Sequence, residues 1–313
     1  VASALKCRIL ALDDLGRKHY ADIILDQTLG RSRVDYSTSF TRVLAGSQYA
    51  LVGRGFLGQR EAALARVRSQ GAVKILITMG SVDFQNVTLK VLKAMENVEN
   101  IKVTVLLSEK APHYEEVRLW CAKKTNFSHF DFVKDMASLM MSHDVAIGAP
   151  GSTSWERACI GLPNIIVPLA NNQQLVCSNL VKNSVALKVE IDEIDALLVS
   201  KYAKLLADWY EFKRSNLITC DARGPLRVVQ EIEELMNETT MSVSLKLASE
   251  EDVRLVYNWQ IDPRTRRFAV NPAEPSWREH KDWMVAKLGK PSDYFYMIVD
   301  TTRETKLGVV RLD

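Results

Sequence analysis

Asp144-Val-Ala-Ile-Gly-Ala-Pro-Gly-Ser-Thr-Ser-Trp-Glu-Arg-Ala-Cys-Ile-Gly-Leu-Pro163 is the stretch that decides the fold class of this chain. Val145 to Ile147 read as a buried strand, Gly148 to Gly151 as a small-residue turn, and the residues after Gly151 as a helix. Ser152, Thr153 and Ser154 are expected to cap that helix, because their hydroxyl oxygens can accept its unpaired N–H groups. Gly161 and Pro163 end it. A strand, a glycine turn and a helix start make an anion site, since free amides and the helix dipole both favour negative charge. Glu156 falls in the first turn, where a carboxylate can meet ribose hydroxyls. An ordinary βα turn with a good cap fits the same spacing.

Working outward, short apolar runs alternate with amphipathic ones. Strands are predicted at Cys7–Leu12, Ile23–Leu25, Tyr49–Val52, Lys74–Thr78, Ile101–Leu107, Phe130–Val133, Val145–Ile147 and Ile165–Val167. Helices are predicted at Leu57–Gln70, Val87–Met95, Tyr114–Lys123, Met136–Met141, Trp155–Ile160 and Pro225–Met236. This alternation predicts a doubly wound α/β domain with ligands at the carboxyl ends of its strands.

The bulk numbers exclude several classes. The 313 residues carry a net charge of +3 with 25% charged residues, so no strong field points to nucleic acid or a membrane surface. Cys7, Cys121, Cys159, Cys177 and Cys220 are scattered without a CxxC or a nearby His pair. That argues against a zinc site or a disulfide framework and predicts a cytoplasmic protein without a metal. No apolar run approaches membrane-spanning length.

Met79-Gly-Ser-Val-Asp-Phe-Gln-Asn-Val-Thr88, Phe132-Val-Lys-Asp-Met-Ala137, the run from Gly151 to Pro163 and Ala170-Asn-Asn-Gln173 occur in that order. Together they resemble the C-terminal lobe of the UDP-sugar hydrolases of pseudaminic-acid biosynthesis, relatives of the transferase that adds N-acetylglucosamine in peptidoglycan synthesis. Asp13-Asp-Leu-Gly-Arg-Lys-His19 and Ala21-Asp-Ile-Ile-Leu-Asp-Gln27 resemble the second half of that family's N-terminal lobe. The resemblance covers residues 8–235 and implies a GT-B-like α/β fold. Residues 1–60 would be a partial N-terminal Rossmann-like lobe and residues 61–240 a complete C-terminal, UDP-binding one.

The resemblance also implies roles. Gly80 and Ser81 would offer amides to a phosphate or the sugar, and Phe132 and Val133 would border uracil. Gly151, Ser152 and Thr153 would hold phosphate and Glu156 the ribose. Asn172 and Gln173 would hold a sugar hydroxyl, an N-acetyl group or the attacking water. The family's presumed base sits in a Gly-Xaa-Gly-His loop upstream of the sequence that starts at Val1, so slow or no turnover is expected. His19 is the motif-placed group that could substitute, and Asp13 and Asp14 could do acid–base work or simply form a turn. Ser81, Ser108 and Ala222 stand where the family has glycine.

From Val243 the pattern changes. Val243-Ser-Leu-Lys-Leu-Ala248 alternates as a half-buried strand, and Ser249 to Asp252 form a capping box. The run through Trp259, Trp277, His280 and Trp283 to Leu312 resembles GNAT acetyltransferases, so residues 241–313 would be a partial α+β domain of that kind. Acetyl-CoA would be expected only of a complete domain. The first functional reading is a UDP-sugar hydrolase without cofactor or metal, acting on a diacetamido-trideoxy hexose. The alternatives are a UDP-sugar-dependent glycosyltransferase, a non-catalytic nucleotide-sugar binder and, in a longer chain, a nucleotide-sugar acetyltransferase. Oligomeric state is not readable.

Overall fold

A computed structural model describes residues 7–36, 41–80, 82–170, 173–237, 243–266, 273–289, 294–301 and 304–312. The chain forms two compact units, Val1–Glu233 and Glu234–Asp313. The first holds two parallel sheets. The smaller has the order β1-β2-β3, with β1 at Leu10–Leu12, β2 at Ile23–Asp26 and β3 at Arg42–Ala45. The larger is built from β4 (Val73–Thr78), β5 (Ile101–Leu106), β6 (Phe127–Phe130), β7 (Val145–Gly148), β8 (Asn164–Ile166) and β9 (Ala186–Lys188). Its strands run parallel in the order β6-β5-β4-β7-β8-β9. The order reverses between β4 and β7, and such a switch point opens a crevice at the carboxyl ends of the two strands.

Helices cover both faces of the larger sheet. In chain order they are α1 (Arg54–Gly58), α2 (Arg60–Ala65), α3 (Val87–Met95), α4 (Tyr114–Ala122), α5 (Met136–Met141), α6 (Ser152–Cys159), α7 (Gln174–Lys182), α8 (Ile194–Ala207), α9 (Trp209–Thr219) and α10 (Gly224–Asn237). Successive strand side chains point to opposite faces, and the two cores follow that period. Ile75, Ile77, Val145 and Ile147 pack with α3 and α8 on one face. Leu76 and Ala146 pack with Phe56, Met140 and Trp155 on the other. Both faces are buried, so these strands read as near-continuous apolar runs.

The structure corrects several sequence expectations. Tyr49–Val52 is not a strand: the third strand is Arg42–Ala45, and Ser47–Tyr49 is a single 3₁₀ turn. The predicted helix Leu57–Gln70 is two short helices meeting at Gln59. The strand assigned to Phe130–Val133 ends at Phe130. α7, β9, α8 and α9 carried no expectation, because their apolar residues are interleaved with charge and no Pro or Gly marks their starts.

In the second unit, β10 (Val243–Leu247), β11 (Tyr294–Asp300) and β12 (Thr305–Leu312) form an antiparallel sheet. α11 (Val253–Ile261), α12 (Pro263–Arg266) and α13 (Trp277–Leu288) complete it. Ser249 and Asp252 make the expected capping box. Val253, Val256, Met284, Phe295, Met297 and Val299 form its core, with Trp259, Trp277 and Trp283 packed against it. The apolar face of β10, expected to be half-buried, is exposed. Register pairs Lys246 with Met297 and Ser244 with Val299, so the polar set shares the core-side register. Val243, Leu245 and Leu247 are exposed.

Gly224 opens α10 against the segment that leaves the smaller sheet. A Cβ there would collide with the Ala50 carbonyl oxygen and approach Ala50 N and Tyr49 C at 2.7 Å, all backbone atoms that cannot swing aside. Gly224→Ala is expected to lower stability by about 1–3 kcal/mol through overpacking. A urea midpoint unchanged from the parent would show that the segment shifts freely.

Candidate functional site

The crevice is framed by the turns that follow β4, β7 and β8. Gly148 ends β7 so close to β4 that a Cβ would collide with the Thr78 carbonyl oxygen and meet Arg157 Nη1 at 2.6 Å. Glycine is therefore required here for the strand to hand the chain to α6 without being pushed off its neighbour. Gly151, not a hydroxyl residue, is the N-cap of α6, and no side chain caps this end. The expected Ser/Thr cap is thus corrected. Ser152, Thr153 and Ser154 are already inside the helix, and the Ser154 hydroxyl accepts from Arg157 Nη2 at 3.0 Å. Ser154 N donates to Gly151 O at 2.9 Å. The amides of Ser152 and Thr153 find no acceptor among the described residues.

The opposite end of α6 is clasped. Arg60 Nη1 donates to Cys159 O at 2.6 Å and Arg66 Nη2 to Gly161 O at 3.2 Å. Cations on the last carbonyls satisfy them and complement the dipole. The turn after β4 is built differently. Asp83 is buried and accepts from Val87 N at 2.9 Å and Thr88 N at 2.8 Å, so a carboxylate already occupies the amino end of α3. Gly80 lies just before it with φ +87° and open space at its Cβ position. A cavity of about 340 Å³, lined by Met79, Asp83, Phe84, Leu169 and Ala170, opens between the ends of β4 and β8. That is a small-ligand volume.

Glu156 is half-buried on α6 and makes no hydrogen bond or ion pair among the described residues. Burial raises its carboxyl above the ordinary value, partly offset by neighbouring Arg157. A half-buried carboxylate without donors among the described residues is a good acceptor for two hydroxyls. Gln173 uses its side-chain oxygen to accept from Leu169 N at 2.8 Å, which shapes the turn after β8. Phe132 is 75% exposed and Val133 partly so, beyond the end of β6 rather than in a core strand. Ser81 and Asn172 lie outside the described residues.

The smaller sheet has its own polar cluster at its strand ends. Asp13 follows β1 and Asp26 ends β2, and both carboxylates are buried. Tyr36 Oη lies 3.0 Å from Asp13 Oδ2 and 2.8 Å from Asp26 Oδ2, one phenol proton between two carboxylates. Arg31 pairs with Asp26 at 3.0 Å and Arg17 with Asp13 at 2.8 Å. Burial pushes the Asp13 carboxyl up, but hydrogen bonds from Arg17, Leu15 N and Tyr36 outweigh it and hold the group far below the usual range. The turn reading of Asp13 is what the geometry shows. His19 Nε2 stands 3.5 Å from Asp13 Oδ2 and has no hydrogen-bond partner. The loop after β2 also touches the larger lobe, where Asn179 of α7 donates to Leu29 O at 2.7 Å.

Arg157, Asp83, Asp26 and Tyr36 were not singled out by sequence. Arg157 left one signal, an arginine on the apolar side of a helix beside Trp155, Ala158 and Cys159. Ala222 adopts a left-handed φ of +63°, consistent with a position the resemblance gives to glycine. Among the described residues no group of three His, Cys, Asp or Glu could hold a metal, and no helix is long and apolar enough to cross a membrane.

The raised Glu156 carboxyl has a stability consequence with a definite sign. A carboxyl whose folded pKa lies above its unfolded value of 4.5 favours folding at low pH, and that contribution is lost as pH rises through the folded value. Glu156→Gln is therefore expected to raise the thermal midpoint at pH 7 and to converge with the parent below about pH 4. A lower midpoint at pH 7 would mean that the carboxylate is well solvated or paired.

Residues 74–216 match the glycosyltransferase family 28 C-terminal domain. The chain is 26% identical over 229 residues to the spore coat polysaccharide biosynthesis protein SpsG of Bacillus subtilis, covering 70% of this chain and 66% of that protein. It is 29% identical over 121 residues to the UDP-N-acetylglucosamine–N-acetylmuramyl-(pentapeptide) pyrophosphoryl-undecaprenol N-acetylglucosamine transferase of an Exiguobacterium species, covering 37% of this chain and 34% of the transferase. The chain thus spans two thirds or less of the length of these relatives. Among solved structures, MurG of Acinetobacter baumannii superposes with a TM-score of 0.55 at 16% identity, covering 74% of this chain and 68% of MurG. Residues 74–216 therefore resemble the glycosyltransferase family 28 C-terminal domain, and the α/β chain has a fold similar to that of MurG.

Proposed function

We propose that the chain carries the nucleotide-binding lobe of a UDP-sugar hydrolase that acts on a diacetamido-trideoxy hexose nucleotide of nonulosonic-acid type. The observation that carries this reading is the open amino end of α6 at the switch point, with the unpartnered Glu156 carboxylate one turn in. The diphosphate takes the Ser152 and Thr153 amides beside Gly151, and the ribose diol takes Glu156. Uracil lies against Phe132 and Val133, whose exposure leaves them free to be covered. The sugar sits toward Gly80 and Gln173, near the cavity lined by Met79, Asp83, Leu169 and Ala170, and the resemblance adds Ser81 and Asn172, which lie outside the described residues. Asp83 at the amino end of α3 disfavours a phosphate there, which supports α6 as the diphosphate site.

In the reaction, a water oxygen bonds to the anomeric carbon as the bond from that carbon to the diphosphate oxygen breaks. The electron pair leaves with UDP, and the water proton goes to a base. Helix amides take up the charge that develops on the leaving diphosphate. His19 is the candidate base within this chain, with Asp13 beside Nε2. The named role of SpsG in polysaccharide biosynthesis supports a sugar-nucleotide substrate. The family 28 match and the N-acetylglucosamine transferase relative favour a second reading, transfer of the sugar to an acceptor instead of water. For the unit from Glu234 on, the antiparallel sheet with α11 and α13 supports the acetyltransferase-like reading.

Calorimetry in EDTA is expected to show UDP binding, and Glu156→Ala is expected to weaken it by about 1–3 kcal/mol, the cost of losing charge-assisted hydrogen bonds. Unchanged affinity in that variant would remove Glu156 from the site, and binding restored only by magnesium would refute a metal-free site. Activity separates the two readings. Free sugar and UDP appearing one for one in water supports hydrolysis. UDP release that waits for an added acceptor sugar supports transfer.

A further inference from the structure

Arg157, the sixth residue of α6, is 0% exposed. Its Nη2 donates to Ala149 O and to Ser154 Oγ, each at 3.0 Å. Its Nε and Nη1 are buried and meet no acceptor among the described residues. Nη1 and Thr78 Oγ1, the latter also buried and without a partner among the described residues, both lie close to the Cβ position of Gly148. No carboxylate forms an ion pair with this guanidinium among the described residues, and adjacent Glu156 exerts only a Coulombic pull. Burial lowers the group to about 10, so it stays cationic at neutral pH.

A buried cation without a counter-charge is costly, and proteins keep one where an anion completes it. Beside this one lies the turn from Gly148 to Gly151, whose Ala149 carbonyl the guanidinium holds. The next two amides, those of Ser152 and Thr153, find no acceptor among the described residues, and Ser152 is exposed. Two separate features thus ask for negative charge at one turn: an open helix end and an unpaired guanidinium. At α3, by contrast, the Asp83 carboxylate already fills the helix end.

We infer that Arg157 is the buried counter-ion and positioning residue for the diphosphate of the bound nucleotide, a role that rests on the nucleotide reading of the site. It fixes the turn through Ala149 O, so the Ser152 and Thr153 amides keep their aim. It also places a permanent positive charge beneath them. The consequence is selective: Arg157 contributes to the recognition of the phosphates and not of the nucleoside.

Three substitutions separate the parts of that role. R157K keeps the charge, R157Q keeps donors for the turn without the charge, and R157M removes both. UDP, UMP and uridine are titrated against each protein. The parent is expected to favour UDP strongly over uridine. R157Q and R157M are expected to bind UDP about tenfold or more weakly with uridine binding unchanged, and R157K to recover most of the difference. UDP affinity within twofold of the parent in R157Q would overturn the inference, as would equal loss for UDP and uridine, which marks a merely structural arginine. If R157M does not fold, R157Q alone decides. If the parent itself binds no UDP, the nucleotide reading falls separately, and inorganic pyrophosphate decides for Arg157. A thermal shift by pyrophosphate in the parent that R157Q loses upholds an anion counter-ion, and no shift in either protein overturns it.

Discussion

The position of α6 depends on contacts at both of its ends. Arg60 and Arg66, contributed by α2 and the segment after it, bind the carbonyls of Cys159 and Gly161 from 99 and 95 residues away in sequence. Gly148 lets β7 run hard against Thr78 of β4 before the helix begins. Between these two constraints the helix axis has little freedom. Its amino end, uncapped by any side chain, is therefore presented at a fixed place in the switch-point crevice. The neighbouring cavity, the Glu156 carboxylate and the Arg157 guanidinium all take their positions from that axis.

The surrounding turns differ in how they satisfy helix starts, and the difference has chemical content. Asp83 closes α3 and Asp135 closes α5 by accepting Ser138 N. A carboxylate at a helix start uses the free amides and cancels the dipole's attraction for an external anion. At α6 there is neither, and the two charged residues of its middle turn are left incompletely paired. Among the described residues, Glu156 meets no donor and two nitrogens of Arg157 meet no acceptor. Burial of this sort works against folding and is retained where a ligand completes the hydrogen bonds.

The smaller sheet shows the complementary pattern. Its strand ends carry carboxylates that are almost fully satisfied: Asp13 and Asp26 share Tyr36 and are flanked by Arg17 and Arg31. Among the described residues, His19 Nε2 and Arg31 Nε lie beside these carboxylates without a hydrogen bond of their own. The loop leaving β2 is tied to α7, the helix that begins one residue after Gln173, through Asn179, which donates to Leu29 O. A network so closely paired rigidifies the loops that carry it.

The order of elements from Val73 to Ile166 was legible in the amino-acid sequence, because parallel strands buried on both faces produce short apolar runs separated by helical periodicity. So was the turn at Gly148–Gly151 with Glu156 beyond it, since a glycine turn between strand and helix is a local pattern. What tertiary structure alone decided are the features that depend on distant partners. Whether Ser152 to Ser154 cap α6 or lie within it is set by where β7 must end against Thr78, which shifts the helix start to Gly151. Whether Arg157 faces water or the interior follows from packing beside Gly148 and Ala149. Whether Val243, Leu245 and Leu247 face a core follows from the register of β10 on β11, and a strand's own alternation cannot say which side its neighbour makes the inside. Local sequence thus set the elements and their turns, and long-range packing decided which polar groups remain unsatisfied, because satisfaction is a property of neighbours brought together only by the fold.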